Sequence, residues 1–217
     1  MQVKGDKKKR SRRLAGLVLA ACLVGGGVWF WEGVAKDRLL PKRWAVVEEG
    51  RIYRSGQLSA ALVKKTLQRH GIKVIVALTG AMPNDRDQAA EQRAADELGI
   101  ELLRFPLKGD GTGEVSQYAR AVAAVAEAKR QGKPVLVHCA AGAQRTGGVI
   151  ACYQLLVEHQ SPADVVTEKR QHGWDPRDNP ALLPYLNQNL GEIAALLREQ
   201  GIIESIPDPL PVLSASP

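Results

Sequence analysis

His138-Cys139-Ala140-Ala141-Gly142-Ala143-Gln144-Arg145-Thr146-Gly147 joins two apolar runs of different length. Ahead of it, Pro134-Val135-Leu136-Val137 reads as a short buried strand; behind it, the apolar run from Gly148 to Val157 is long enough for a helix. The decamer is therefore a loop between a strand end and a helix start. The first amides of a helix have no intrahelical acceptor, and a turn that also aims its own N–H groups inward forms a site for an anion such as phosphate. A cysteine at the mouth of such a loop has its thiolate stabilised by the same dipoles, so its pKa falls below the ~8.5 of a free thiol. Cys139 is the candidate nucleophile. Ala140, Ala141, Gly142, Ala143, Gln144 and Arg145 are the candidate phosphate cradle.

Arg145 can offer a planar fork to two oxygens of a phosphoryl group, which lysine cannot do. Thr146 brings a hydroxyl within reach of the sulfur, and Gly142 and Gly147 allow close backbone approach. A purely structural reading makes Cys139 an inert core thiol and Arg145 a surface charge. A lone cysteine would not decide between the two readings; the whole combination does.

His-Cys-x-x-Gly-x-x-Arg-Thr-Gly resembles the signature of cysteine-dependent phosphatases of the protein-tyrosine and dual-specificity type, over roughly residues 51–160. The resemblance implies that Cys139 attacks a phosphomonoester to form a cysteinyl-phosphate, that Arg145 clamps the phosphoryl oxygens, and that no metal or other cofactor takes part. It also implies an aspartate acid on the loop after the preceding strand. That loop is Lys108-Gly109-Asp110-Gly111-Thr112-Gly113, which places Asp110 in the role, with flanking glycines that would let it swing over substrate. The plainer reading of Asp110 is a surface turn residue. Asp85 and Asp87, one strand earlier, are the reserve candidates, with helix capping as their ordinary role. His138 is expected to face the other side of its strand and support the loop. Tyr53-Arg54-Ser55-Gly56-Gln57 resembles a segment of several bacterial and fungal atypical dual-specificity phosphatases, with Arg54 read as structural.

The remaining chain alternates strands and helices, which predicts an α/β fold with a mostly parallel central sheet flanked by helices on both faces. Trp44–Val47 and Arg51–Arg54 read as strands, Ser59–His70 as a helix capped by Ser59, and Lys73–Leu78 as a strand. Asp85–Leu98 reads as a helix ended by Gly99, Ile100–Phe105 as a strand and Glu114–Gln131 as a helix. Ser161 and Pro162 open a further helix, and Ala181–Gln200 closes the domain. The proline-containing tail 201–217 is expected to be extended and poorly packed. The active site should lie at the carboxyl edge of the sheet.

The net charge of +7 is concentrated in residues 1–13, where Lys7-Lys8-Lys9-Arg10, Arg12 and Arg13 stand; without that run the chain is nearly neutral, which argues against nucleic acid as a partner. Residues 14–31 carry no charge and, as a helix of about 27 Å, match the hydrocarbon thickness, with Trp29 and Trp31 at an interfacial position. This predicts a single membrane anchor with a cytoplasmic basic N-terminus, a linker over 32–43 and an extracytoplasmic phosphatase domain over 44–200. Leu19-Ala20-Ala21-Cys22 also looks like a lipoprotein cleavage box, which would make Cys22 a lipid anchor. With Cys139 and Cys152 left in the domain there is no disulfide framework, and Cys152 reads as a small core residue.

The expected partner is a phosphorylated protein or a membrane-proximal phosphomonoester. Ala140, Ala141, Ala143 and Gln144 leave the variable loop positions uncharged, which tilts the reading away from polyanionic head groups. A sulfurtransferase or arsenate reductase also uses a cysteine in an anion loop, but Thr146-Gly147 and the mid-chain position of the loop count against both. A non-catalytic phosphate-recognition module is the remaining alternative, although its usual mark is loss of the cysteine or arginine.

Overall fold

Five short runs, four of them rich in valine, isoleucine or leucine, pair into one sheet: β1 (Ala45–Glu48), β2 (Ile52–Gly56), β3 (Val74–Ala77), β4 (Glu101–Arg104) and β5 (Val135–Cys139), in the order β1-β2-β5-β3-β4. The computed structural model describes residues 40–215 and, before them, Gly25 alone. The expected span over 14–31, the alternative lipid anchor at Cys22 and the basic stretch 1–13 lie outside the described residues. Among the described residues no helix is long and apolar enough to cross a membrane.

β2, β5, β3 and β4 run parallel, and only the edge hairpin partner β1 is antiparallel. Among the described residues six helices lie around the sheet: α1 (Val63–Arg69), α2 (Arg86–Leu98), α3 (Val115–Arg130), α4 (Gln144–Leu156), α5 (Pro162–Gln171) and α6 (Leu182–Glu199), the last two packed on α3 and α4. Strand side chains alternate between faces, so each central strand feeds two cores. Val74, Val76, Val135, Val137 and Cys139 pack with α3, α4 and α6, while Ile75, Ala77 and Leu136 pack with α1 and α2. This period of two sets the site. Cys139 faces the helix layer that contains α4, and its neighbour His138 must face α2.

Local chemistry accounts for most element ends. Asp85 caps α2 by accepting from the Asp87 and Gln88 amides, and Gly99 closes it in the left-handed region at φ 61°. Ser161 caps α5, with Pro162 in its first turn. Two expectations need correction. Ser59 is no side-chain cap: its carbonyl accepts from the Leu62 and Val63 amides in a turn, and α1 starts only at Val63. Residues 201–215 are not a loose tail. Leu213 is buried in the core that α6 covers and exchanges two hydrogen bonds with Asn187, both 2.8 Å. An apolar residue among prolines carries no periodicity, so this docking had no sequence pattern to announce it.

Candidate active site

β5 ends at Cys139 and α4 begins at Gln144, and parallel neighbours β2 and β3 bring their carboxyl ends to the same edge. Between them the loop turns over itself, with Gly142 at φ 78°. Only glycine fits there, because a Cβ on Gly142 would sit 2.5 Å from the Gly56 amide nitrogen.

Three successive carbonyls of the loop point outward, each held by a donor from the segment around β1 and β2. The Gln57 amide donates to Ala140 O at 3.2 Å, Arg43 donates to Ala141 O at 2.9 Å, and buried Arg54 donates to Gly142 O at 3.0 Å. In a trans peptide the C=O of one residue and the N–H of the next point in opposite directions. Anchoring these carbonyls outward therefore turns the N–H groups of Ala141, Gly142 and Ala143 inward. The Gly142 N–H meets the Cys139 sulfur at 3.2 Å. The inward amides and the thiol at their base form a nest of the kind that can receive an anion.

Cys139 is 2% exposed. Burial pushes its thiol pKa up, but the Thr146 hydroxyl and amide, the Gly142 amide and the Arg145 charge together hold it below the ordinary value. Arg145 rises from the first turn of α4, half-buried, and its Nε is buried with no acceptor among the described residues. A buried guanidinium N–H without a protein acceptor beside an amide nest suits an oxyanion. Gln144 begins α4, and Thr146 is fully buried.

His138 faces α2, as its strand position requires. Its Nε2 lies 2.9 Å from Glu91 Oε1, and both side chains are 1% exposed. Burial lowers the His138 pKa, but the Glu91 carboxylate more than offsets this and the imidazole is shifted upward. Glu91 is shifted downward: His138, Arg104 and Gln57 outweigh the effect of burial. The pair is a buried support under the loop.

Asp110 stands on the loop between β4 and α3, exposed, with its Oδ1 accepting from the Thr112 amide at 2.9 Å and the Thr112 hydroxyl at 2.8 Å. The Thr112 amide bond is the main cause of its lowered pKa, and the Thr112 hydroxyl and Lys108 add to it. The loop is tied down at several points. Buried Tyr118 donates to Gly111 O, and Asn179 Nδ2 donates to Asp110 O at 2.5 Å. Gly111, at φ 90°, packs so close to the start of α4 that a Cβ would lie 3.2 Å from Gln144 C and O. The free swing expected from the flanking glycines is thus restricted at Gly111, and the Asp110 loop rests directly against the start of α4. Asp85 and Asp87, the reserve acids, are engaged elsewhere: Asp85 caps α2 and Asp87 accepts from the Ala60 amide at 2.8 Å.

Arg54, fully buried, also donates to Glu168 on α5 at 2.5 Å, so it joins loop, sheet and helix. Beside it lies Lys169, 1% exposed, with its Nζ 5.6 Å from the Trp174 ring centre. Burial, reinforced by Arg54, pulls the Lys169 pKa down to about 7, while burial pushes Cys152 up to about 12. In the unfolded chain Lys169 keeps its proton up to about pH 10, so between pH 7 and that value the unfolded state binds more protons and stability rises with pH. Cys152 opposes this above about pH 9, where an unfolded thiol ionises and the buried one does not. The expected result is a melting temperature that climbs from pH 7 to 9. Lys169→Met should flatten that slope and add about 2–4 kcal/mol at pH 6–7, measured by denaturant unfolding.

A family model described as DSP-PTPase phosphatase fused to NAD+ kinase matches residues 31–179, which takes in the whole sheet, the Cys139 loop and the Asp110 loop. The chain belongs to this family. It is also similar to the dual specificity protein phosphatase OPG106 of vaccinia virus, 36% identical over 63 residues, a stretch that covers 29% of this chain and 37% of the viral protein. Among solved structures, TpbA of P. aeruginosa superposes with a TM-score of 0.57 at 23% identity, covering 71% of this chain and 89% of that one. The Siw14 catalytic core superposes with a TM-score of 0.60 at 19% identity, covering 81% and 98%; the S. cerevisiae protein is described as a PP-IP phosphatase. At these identities the structural likeness establishes the fold alone.

Sequence reasoning passed over Arg43, Gln57, Tyr118 and Asn179. Each acts through a hydrogen bond to a backbone carbonyl or places a main-chain donor, and such contacts leave no residue-type signature. Gln57 could have been noticed as part of the Tyr53–Gln57 segment; Arg43 had no signal beyond its charge.

Proposed function

We propose that the chain hydrolyses phosphomonoesters through a cysteinyl-phosphate intermediate, with an aryl phosphate such as phosphotyrosine on a protein as the preferred class. The observation that carries this reading is the Gly142 N–H on the Cys139 sulfur inside an outward-anchored amide nest, with the unpaired Arg145 Nε beside it. The Cys139 thiolate attacks phosphorus opposite the ester oxygen. The equatorial oxygens gain charge-assisted hydrogen bonds from Arg145 and the inward amides. The P–O ester bond breaks, and Asp110 gives its proton to the departing oxygen. Water then attacks the cysteinyl-phosphate, Asp110 takes its proton, and the thiolate is released with inorganic phosphate.

The uncharged variable positions Ala140, Ala141, Ala143 and Gln144 support a substrate with a single phosphate over a polyanionic head group. A cysteine-to-serine variant of TpbA has been crystallised in complex with pTyr, which fits the same class. We place the phosphatase domain outside the cytoplasm on an N-terminal anchor over residues 14–31, on the strength of the uncharged run and the basic residues before it.

The test is hydrolysis of an aryl phosphate and of a phosphotyrosyl peptide by the full chain in detergent with reductant, beside phosphoinositide in mixed micelles. Activity on the first two that exceeds the third supports the reading. A folded, reduced protein inert on all three overturns it. Arg145→Lys should lower kcat/KM by about a hundredfold or more, because one ammonium cannot hold two equatorial oxygens as a fork does.

A further inference from the structure

Arg43 lies outside every strand and helix, on the turn that leads into β1, yet its guanidinium NH1 reaches across to Ala141 O at 2.9 Å. It adopts φ 46°, a conformation uncommon for any residue with a side chain, and such a residue persists only where its surroundings hold it. Those surroundings are on both sides. The Gly56 N–H donates to Lys42 O at 2.7 Å, fixing the backbone beside it to the end of β2. Gly173, after α5, leaves room for the guanidinium: a Cβ there would lie 2.7 Å from Arg43 Nε.

The consequence follows from peptide geometry. Ala141 O and the Gly142 N–H belong to the same peptide, so the donor that holds the carbonyl outward also aims the N–H at the sulfur. Of the peptides anchored in this loop, that one alone has its N–H recorded on Cys139. The Ala140 carbonyl is held by a backbone amide and the Gly142 carbonyl by a buried arginine. Only the middle peptide depends on an exposed side chain.

We propose that Arg43 is a positioning residue for catalysis: by holding the Ala141–Gly142 peptide it keeps an N–H on the Cys139 sulfur and so sets the reactivity of the thiolate from outside the phosphate loop. The inference rests on the reading of Cys139 as nucleophile. It makes the end of the segment read as a linker, residue 43, a working part of the site. The other groups around the sulfur are Arg145 and Thr146 on α4, His138 with its partner Glu91 on α2, and Tyr118 on α3.

The experiment is the pH dependence of iodoacetamide alkylation of Cys139 in the full chain, read by mass spectrometry of the Cys139 peptide so that Cys22 and Cys152 do not interfere. Arg43→Gly removes the side chain while accepting the positive φ, and Arg43→Lys keeps one donor. Arg51→Ala, which removes a surface arginine paired with Glu48, is the control. The expected result is an alkylation pKa raised by about half a unit to one unit in Arg43→Gly, a threefold to tenfold loss of thiolate below the pKa, with partial recovery in Arg43→Lys and no change in Arg51→Ala. The acid limb of kcat/KM should move by the same amount. An unchanged alkylation pKa in a folded Arg43→Gly protein overturns the proposal, whatever its activity. A raised pKa in a protein inert on every phosphate ester would leave the Arg43 assignment standing and sink the proposed function instead.

Discussion

Cys139→Ser is expected to lower turnover of an aryl phosphate by at least about four orders of magnitude while leaving oxyanion binding in place. The serine hydroxyl has no thiolate-like form near neutral pH, and this loop contains no base to make one: His138 points to the opposite face of the sheet and is occupied by Glu91. The amide nest and Arg145 do not depend on the sulfur, because the loop carbonyls are anchored by Gln57, Arg43 and Arg54. Binding of vanadate or phosphate, followed by intrinsic fluorescence or calorimetry, should therefore survive. Turnover by Cys139→Ser within tenfold of the unaltered chain would show that another group carries the chemistry. A chain that binds phosphate but never turns over, with Cys139 intact, would be a recognition module.

Asp110→Asn is expected to lower kcat/KM, which reports the phosphorylation of Cys139, by about two to four orders of magnitude for an ester whose leaving group is a poor one, and far less for a nitrophenolate, which departs without a proton. The contrast between the two leaving groups is the diagnostic. A structural loss would depress both alike. The pH profile adds a second handle. Thr112 holds the Asp110 carboxyl below the usual range, so in the free protein the acid form is lost as pH rises through that lowered value. The alkaline limb of kcat/KM should fall within or below the ordinary carboxylate range, and it should vanish in Asp110→Asn. Thr112→Val, which removes the hydroxyl donor and keeps the amide, should shift that limb upward. An unmoved limb would assign it to another group.

The loop of the candidate site was legible in the sequence because its residues are contiguous: candidate nucleophile, amides, arginine and threonine follow one another within eight residues, and the flanking apolar runs disclose the strand and helix. The alternation of β5 likewise sent His138 and Cys139 to opposite faces without any tertiary information. What holds the loop was not legible. Arg43 to Ala141 and Arg54 to Gly142 span 98 and 88 residues, and the acceptor in each case is a main-chain oxygen that any residue could present. Asn179 on the Asp110 carbonyl, 69 residues away, is hidden for the same reason. Ser59 misled because a serine before an apolar run is a good cap only if its backbone is extended and its hydroxyl is turned to the helix, and here the chain makes a turn first. Leu213 misled because prolines around it suggested an unpacked segment, while its burial comes from α6.

A covalent phosphoryl group on Cys139 is the feature on which the proposed chemistry stands, and rapid acid quench tests it directly. Full-length Asp110→Asn is mixed with an aryl phosphate that has a good leaving group, and the Cys139 peptide is examined by mass spectrometry within the first turnover. Formation does not need the missing acid with such an ester, whereas hydrolysis lacks its base, so the peptide should gain the mass of one phosphoryl group on most molecules. Continued release of inorganic phosphate with Cys139 unmodified, or with the phosphoryl group on a different residue, would contradict the cysteinyl-phosphate mechanism.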